Sequence, residues 1–267
     1  MNKKQLKIIA CLCMFYDHLD RILPIQLLLA PLWDWLYEMG QEALIDQLFR
    51  LLNYIGRLAA PIFLFCIVDG FFHTHDKKRY IQRVAITALL AQVPYILFNM
   101  AEMHTYGAAA LISEIDLNIL FTLSLGLIAI WLTDTLLQRR QYLLAIISII
   151  TACLLATSLH MEGKYGYILI LFAFYFLKDQ KRWLQALLFI PIVILSRYRL
   201  FMLLFTETDA RMVPTVILNI FGNYLGLLIP ICFYNGQKGS ISKTMQLGMY
   251  AFYPLHLLVL GMFGLLR

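Results

Sequence analysis

The sequence contains little charge for its length. Only 14% of its 267 residues are Asp, Glu, Lys or Arg, whereas soluble globular proteins carry about 25%. Hydrophobic residues make up 61% of the chain, and the mean hydropathy is +0.73. This balance excludes a soluble globular domain, because such a domain needs a polar surface. The composition predicts an integral membrane protein.

Several signatures of catalysis and metal binding are also missing. The chain has no GxSxG, P-loop or GxGxxG motif, which argues against the common soluble nucleophile and nucleotide sites. Its five cysteines form no CxxC pair and all fall in apolar runs, so we expect neither a disulfide framework nor a zinc site. His73 and His75 are two residues apart, a spacing that puts them on different faces of a helix. We therefore predict no metal site.

Apolar runs follow one another along the chain with only short polar breaks. Since about 20 apolar residues span a bilayer as a helix, the pattern predicts one all-α domain, 1–267, a polytopic bundle of about nine transmembrane helices. The sixth and seventh are short enough to be tilted or re-entrant. The predicted spans are Leu6–Leu23, Leu51–Phe72, Tyr80–Met100, Leu117–Leu137, Tyr142–Leu159, Tyr165–Leu177, Trp183–Leu195, Pro214–Tyr234 and Thr244–Leu266.

The distribution of basic residues orients this bundle. Most of the 22 lysines and arginines fall on one side if the spans alternate in direction, and that side is the cytoplasmic one in membrane proteins. The sequence therefore predicts a cytoplasmic N-terminus and an external C-terminus. Basic inner loops that face anionic lipid explain the net charge of +6, so no nucleic-acid partner is expected.

The first span contains a polar stretch, FYDHLDR. Counted from Leu6, Asp17 and His18 lie roughly 17 Å into a hydrocarbon core about 30 Å thick, near its midplane. With Asp20 and Arg21 they share an arc of about 160° on the helix. Asp17 and Arg21 are spaced i, i+4 and are expected to form an ion pair. One side of this helix is therefore polar deep in the membrane.

Two other spans contribute ionisable groups. Arg57 lies roughly two turns below the outer surface, and Asp69 approaches the inner surface at the other end of the same span. In the last span Pro254 removes a helix hydrogen bond and opens space beside His256, which is expected to meet His18. Each buried charge costs at least about 2.5 kcal/mol, so the sequence predicts a wet cavity, with a purely structural polar network as the alternative.

Several phrases in chain order resemble the TraX family, named for the membrane protein that acetylates the N-terminus of F-type conjugative pilin. They are DH in the first span, GRLAAPIF with DGFFHTHDKKRYIQR, DLNILFTLSLGL, KYGYILI and AFYPLHLLVL, and together they cover nearly the whole chain. Asp69 stands where the family has a glutamate before the glycine. The matching positions are Asp17, His18, Arg57, Pro61, Gly70, Thr74, Tyr80, Arg83, Asn118, Tyr165, Gly166, Pro254 and His256.

This resemblance implies a multi-pass acetyltransferase of the bacterial cytoplasmic (inner) membrane, related to transmembrane acyltransferases that modify polysaccharides. Acetyl-CoA would arrive from the cytoplasm, and the acceptor on the outer side would be a pilin N-terminus, another exported peptide or a surface glycan. We expect His18 to be the general base and the Asp17, Asp20 and Arg21 network to set its protonation. Arg57 or His256 would stabilise the thioester oxygen. Transfer is either direct or through a transient acetyl-histidine.

Two groups of residues complete the predicted site. The CoA phosphates are expected on inner-side cations: Lys77, Lys78, Arg79, Arg83, Arg139, Arg140, Lys181 and Arg182. The substrate cavity is expected to be lined by Asp20, Arg21, Asp69, His73, Tyr80, Asn118, Tyr165 and Tyr253. A proton-coupled transporter with a buried Asp/His/Arg relay is the alternative function, and a noncatalytic assembly factor is a third.

Overall fold

A computed structural model describes residues 1–24, 29–105, 116–206, 212–237, 239–240 and 242–267. Within these ranges the protein is all-helical, as predicted, apart from one isolated bridge between Leu117 and Met161. The described helices are α1 (Lys3–Ile22), α2 (Ala30–Glu38), α3 (Glu42–Arg57), α4 (Ala59–His73), α5 (Lys77–Thr105), α6 (Ile119–Gln138), α7 (Tyr142–Ser158), α8 (Lys164–Leu177), α9 (Arg182–Ser196), α10 (Tyr198–Thr206), α11 (Met212–Phe233) and α12 (Lys243–Leu266).

Five helical segments in the described ranges are long and apolar enough to cross a membrane. The number becomes six if α9 and α10, which meet at an angle of 73°, form one span. α7 and α8 are apolar but shorter, and α1 combines basic residues at its start with the polar DHLDR stretch. The five segments are Tyr54–His73, Lys77–Thr105, Ile119–Gln138, Val213–Phe233 and Leu247–Leu266. The protein is thus a membrane protein, while nine spans and the sides of the termini stay predictions.

The outer faces of the helices are apolar. Leu90 on α5, Leu143 and Leu154 on α7 and Val259 on α12 all have exposed side chains. Such continuous apolar faces have no favourable contact with water and are stable only against lipid tails. The bilayer therefore surrounds the bundle.

Small residues let α12 approach α5 and α1 closely. A β-carbon at Gly261 would lie 2.8 Å from the backbone nitrogen of Phe98, and one at Gly264 would lie 2.9 Å from the β-carbon of Ala101 and 3.0 Å from Ile22. Glycine removes these clashes, as it does in many membrane helix pairs. The close approach brings the middle of α12, with His256, against α1 and α5.

Polar contacts hold the start of α1 in place. The amino group of Met1 donates to the Phe233 carbonyl at 2.6 Å, and the backbone N–H of Lys3 donates to Gln237 at 2.8 Å. The Lys3 ammonium, which is nearly buried, forms an ion pair with Asp69 of α4. These contacts fix how far α1 reaches into the bundle and therefore the depth of its polar stretch.

Candidate functional site

A cavity of about 200 Å³ runs through the bundle beside one face of α1. Its lining on α1 begins at Lys7 and ends at Arg21, which corresponds to roughly 21 Å along the helix axis. We call it the central cavity, and we call its two ends the Lys7 end and the Arg21 end. The residues from other helices that line it include Gly56, Arg57, Phe63, Cys66, Ile67, Tyr80, Thr87, Leu120, Leu123, Glu162, Tyr167, Arg197, Asn223, Met249, Tyr250 and Tyr253.

His18 lines the central cavity and contacts His256, as the sequence predicts, while His256 itself is not among the described lining residues. His18 Nδ1 lies 2.7 Å from His256 Nε2, and His256 Nδ1 lies 2.7 Å from the Phe252 carbonyl oxygen. Because a carbonyl oxygen only accepts, the hydrogen sits on His256 Nδ1 and its Nε2 accepts from His18 Nδ1–H. This assignment for the neutral pair leaves the lone pair of His18 on Nε2.

Aromatic packing fixes the orientation of both imidazole rings. The ring of His18 lies edge-on to Phe98 with centroids 4.9 Å apart, and it stacks on His256 at 5.0 Å. The His256 ring stacks in turn on Phe252 at 4.8 Å and is only 6% exposed. His18 therefore presents one defined nitrogen rather than a freely rotating ring.

The predicted ion pair between Asp17 and Arg21 is present. Arg21 Nη2 donates to Asp17 Oδ2 at 2.8 Å, and its Nη1 lies 3.6 Å from a carboxylate oxygen of Glu102. The end of α3 packs directly on this pair, since a β-carbon at Gly56 would overlap the Asp17 carboxylate. Glycine at position 56 thus places the neighbouring Arg57 beside the polar part of α1.

Arg197, which the sequence prediction left out of the site, joins Arg21 and Arg57 at the Arg21 end. Arg197 follows α9 and donates from Nη2 to Asn223 Oδ1 at 3.0 Å. Its guanidinium also lies 5.7 Å from the ring centre of Tyr167. In the sequence Arg197 stands at the edge of an apolar run, where a cation is usually a topology signal. Only the packing of α9 against α11 turns it toward the cavity.

Glu162 is another residue that sequence analysis missed. It lies in the connection between α7 and α8, and its Oε2 accepts from the backbone N–H of Ile119 at 3.1 Å. Burial raises the pKa of the Glu162 carboxyl, and Arg21 opposes that shift. A lone glutamate in a short loop normally indicates exposure to solvent. Here the bridge between Leu117 and Met161 folds the loop into the bundle.

The Lys7 end has a different character. Its polar groups are the ammonium of Lys7 and the hydroxyls of Tyr80, Thr87 and Tyr250. Tyr80 donates to the Ile67 carbonyl at 3.1 Å, which fixes the ring at the cavity wall. Tyr80 was predicted to line the cavity, whereas Lys7 was not among the predicted site residues.

None of the eight cations predicted to bind CoA is among the described residues that line the central cavity. Two of them already have acidic partners, Lys77 with Asp134 at 3.3 Å and Arg79 with Asp76 at 3.0 Å. Arg182 donates to two carbonyls at the end of α11. The positive-inside pattern placed these cations near the cavity, but it contains no information on which of them the helices turn inward. The eight are Lys77, Lys78, Arg79, Arg83, Arg139, Arg140, Lys181 and Arg182.

The predicted cavity residues divide into two sets. Arg21, Tyr80 and Tyr253 line the central cavity, whereas the structure places Asp20, Asp69, His73, Asn118 and Tyr165 elsewhere. Asp69 forms the ion pair with Lys3, lies 3.4 Å from His73 and faces a second cavity of about 260 Å³.

Asn118 and Tyr165 have structural contacts instead of a place at the cavity. Asn118 is fully buried, caps α6 by accepting from the Leu120 N–H, and donates to the Ala88 carbonyl at 2.9 Å. Tyr165 donates to the Leu195 carbonyl at 3.3 Å. Both residues therefore join helices. The described ranges contain no cluster of three or more His, Cys, Asp and Glu side chains that could hold a metal ion.

Comparisons with known proteins give one family and a curated relative. The family model described as TraX protein matches residues 2–264. A probable fimbrial assembly protein, FimC of serogroup H1, from Dichelobacter nodosus is 27% identical over 259 residues, which cover 96% of this chain and 93% of that protein. No solved structure matches. Because the family model extends over nearly the whole chain, the protein belongs to the TraX family.

Proposed function

We propose that the protein is an acyltransferase of the bacterial cytoplasmic membrane that moves an acetyl group from acetyl-CoA to an amine or hydroxyl acceptor. The observation that carries the proposal is the chain of contacts from the Phe252 carbonyl through His256 to His18, at the wall of a cavity roughly 21 Å long. The name of the Dichelobacter nodosus relative supports an acceptor connected with fimbriae or pili.

His18 is the general base in this proposal. Its Nε2 lone pair accepts the proton of the acceptor while the acceptor nitrogen or oxygen bonds to the carbonyl carbon of the thioester. The carbon–sulfur bond then breaks, and His18 returns the proton to the sulfur, which leaves as the free thiol of CoA. His256 is a positioning residue, since it accepts from His18 Nδ1–H and so stabilises the imidazolium that forms.

This geometry changes the expected role of His256. Its Nε2 accepts from His18 and its Nδ1 donates to Phe252, so neither nitrogen is available to the thioester oxygen. Stabilisation of the developing negative charge therefore falls to Arg57, which lines the cavity at the end of α3.

The Lys7 end suits the acyl donor. The Lys7 ammonium can donate to a phosphate, and the hydroxyl oxygens of Tyr80 and Thr87, whose hydrogens already bond backbone carbonyls, can accept from the amides of a pantetheine arm. When acetyl-CoA is bound it supplies the activated acyl group, and the chain positions it against His18. Lys7 lies near the start of α1, so the predicted cytoplasmic N-terminus would place the Lys7 end on the cytoplasmic side.

Thiol release in liposomes tests the proposal. The purified protein should release CoA from acetyl-CoA only when an acceptor peptide or sugar is present, and mass spectrometry should find the acetyl group on that acceptor. His18→Gln should stop both processes, while Lys4→Gln, outside the cavity lining, should not. Solute movement in the absence of CoA would favour a transporter, and transfer at the normal rate by His18→Gln would overturn the assignment of the base. An acetylated protein after incubation without acceptor would indicate an acetyl-histidine route.

A further inference from the structure

Two arginines at the Arg21 end of the central cavity, Arg57 and Arg197, form no ion pair with another described residue. Arg21 is paired with Asp17 and Glu102. By contrast, no ion pair within the described ranges involves Arg57 or Arg197, and the contact of Arg197 with Asn223 is to a neutral amide. A guanidinium close to a bilayer core is costly without a counter-charge. Asp17 and Glu162 line the same end, but no described carboxylate lies within ion-pair distance of either guanidinium.

Arg197 is held in a fixed position. Asn223 Nδ2 donates to the Asn219 carbonyl at 2.7 Å, which directs its Oδ1 toward Arg197. The aromatic ring of Tyr167 lies under the same guanidinium, an arrangement that favours a planar cation. Asn223 engages one N–H group of Arg197, and the cavity lies beside the others. A preorganised guanidinium of this kind is suited to binding oxygen anions.

The two arginines are close to the proposed base. Gly56 packs on the carboxylate of Asp17, so Arg57 begins at the depth of Asp17, next to His18 in α1. Arg57 and Arg197 are neighbours across α11: a β-carbon at Gly222 would lie 3.3 Å from the Arg57 β-carbon, and the next residue, Asn223, accepts from Arg197. A group bound between these cations would thus lie in the same cavity as His18 and toward the same end of α1.

We infer that the Arg21 end binds an anionic oxygen group, a carboxylate or a phosphate, that belongs to the acceptor. This inference rests on the proposed function and specifies its substrate class: the amine or hydroxyl that is acetylated lies a few bonds from the anion. Acidic peptides, uronic acids and sugar phosphates share this chemistry. Neutral peptides and neutral sugars do not.

Matched ligand pairs test the inference on the full protein in phosphatidylcholine nanodiscs. The pairs are Ala-Glu with Ala-Gln, glucuronate with glucose, and glucose 6-phosphate with glucose, each measured by calorimetry. We expect the anionic member of at least one pair to bind about 10-fold or more tightly than its neutral partner, as for a hydrogen bond to a charged group. The pair that shows the preference distinguishes a carboxylate from a phosphate.

Variants show which residues cause the preference for the anionic ligand. Arg57→Gln and Arg197→Gln should each abolish it, and Arg57→Lys should keep part of it, because lysine keeps the charge but loses the bidentate geometry. Arg199→Gln, two residues from Arg197 and outside the cavity lining, is the matched control and should bind as the wild type does. Each variant must keep the helix content of the wild type, so that loss of binding cannot be explained by unfolding.

Three results would overturn the inference. The first is the absence of any preference in all three pairs, and the second is a preference that persists in both glutamine variants. The third is binding of adenosine 3′,5′-bisphosphate or phosphatidylglycerol that the wild type shows and both glutamine variants lose. That result would assign the two arginines to CoA or to lipid. Binding that behaves as expected without any acetyl transfer would instead refute only the proposed function.

Discussion

The two ends of the central cavity differ in charge, although both are lined from the same face of α1. The Lys7 end has one cation and several hydroxyls, whereas the Arg21 end brings together three arginines, Asp17 and Glu162. A single polar helix therefore serves two chemically distinct sites, with His18 close to the Arg21 end. We take this division to separate the acyl donor from the acceptor.

Replacement of His18 should have the largest effect of the variants considered. We expect His18→Gln to lower kcat by about 10²- to 10⁴-fold, the usual contribution of a general base, with little change in KM for acetyl-CoA. Steady-state kinetics of thiol release would show this. An increase in KM with kcat intact would mean that His18 only shapes one end of the cavity.

His256 should matter less and in a chemically specific way. His256→Leu should lower kcat by about 10- to 100-fold, as expected for loss of a residue that orients a catalytic group. His256→Gln should recover much of the rate, because an amide oxygen can still accept from His18 Nδ1. Equal rates for the leucine and glutamine variants would indicate that His256 contributes packing alone.

Replacement of Lys7 tests whether the two ends of the cavity bind different substrates. Lys7→Gln should raise KM for acetyl-CoA about 10-fold and leave KM for the acceptor unchanged, since a charged hydrogen bond to a phosphate is lost. Lys4→Gln is the control in the same segment. If the acceptor KM also rises, the division of the cavity into donor and acceptor ends is incorrect.

Gly56 should give the smallest effect, one on stability. Gly56→Ala puts a methyl group against the Asp17 carboxylate and should lower the free energy of unfolding by about 1–3 kcal/mol, the usual cost of overpacking. Gly248→Ala in α12 meets nothing within 4 Å and should be neutral or stabilising by up to about 1 kcal/mol. Thermal unfolding in detergent compares the two. Equal stabilities of the two variants would show that the α3 backbone shifts at Gly56 and makes room for the methyl group.

Part of the site could be predicted from local sequence. The ion pair between Asp17 and Arg21 follows from helical spacing, and the contact between His18 and His256 follows from their similar depths in two apolar spans. Spacing and depth are properties of single helices, so one sequence suffices for them. The role of His256 was harder to predict from the sequence, because the direction of its hydrogen bonds depends on its contact with the Phe252 carbonyl.

Other parts could not be predicted in this way. Arg197 and Glu162 lie at the ends of apolar runs, where charge normally indicates an interface with water. The eight basic loop residues were predicted to bind CoA because they are positively charged and lie on the predicted cytoplasmic side. Neither property states which side chains face inward, and in the described structure other residues line the central cavity.

The sequence by itself determined that this is an all-helical membrane protein with a polar face on its first helix, because composition and helical periodicity act locally. Only the tertiary structure decided which cations enter the cavity, which imidazole nitrogen is free and how the two ends differ. Those properties depend on helix rotation and on close approaches such as that at Gly56, and both are set by packing between segments that are far apart in the chain.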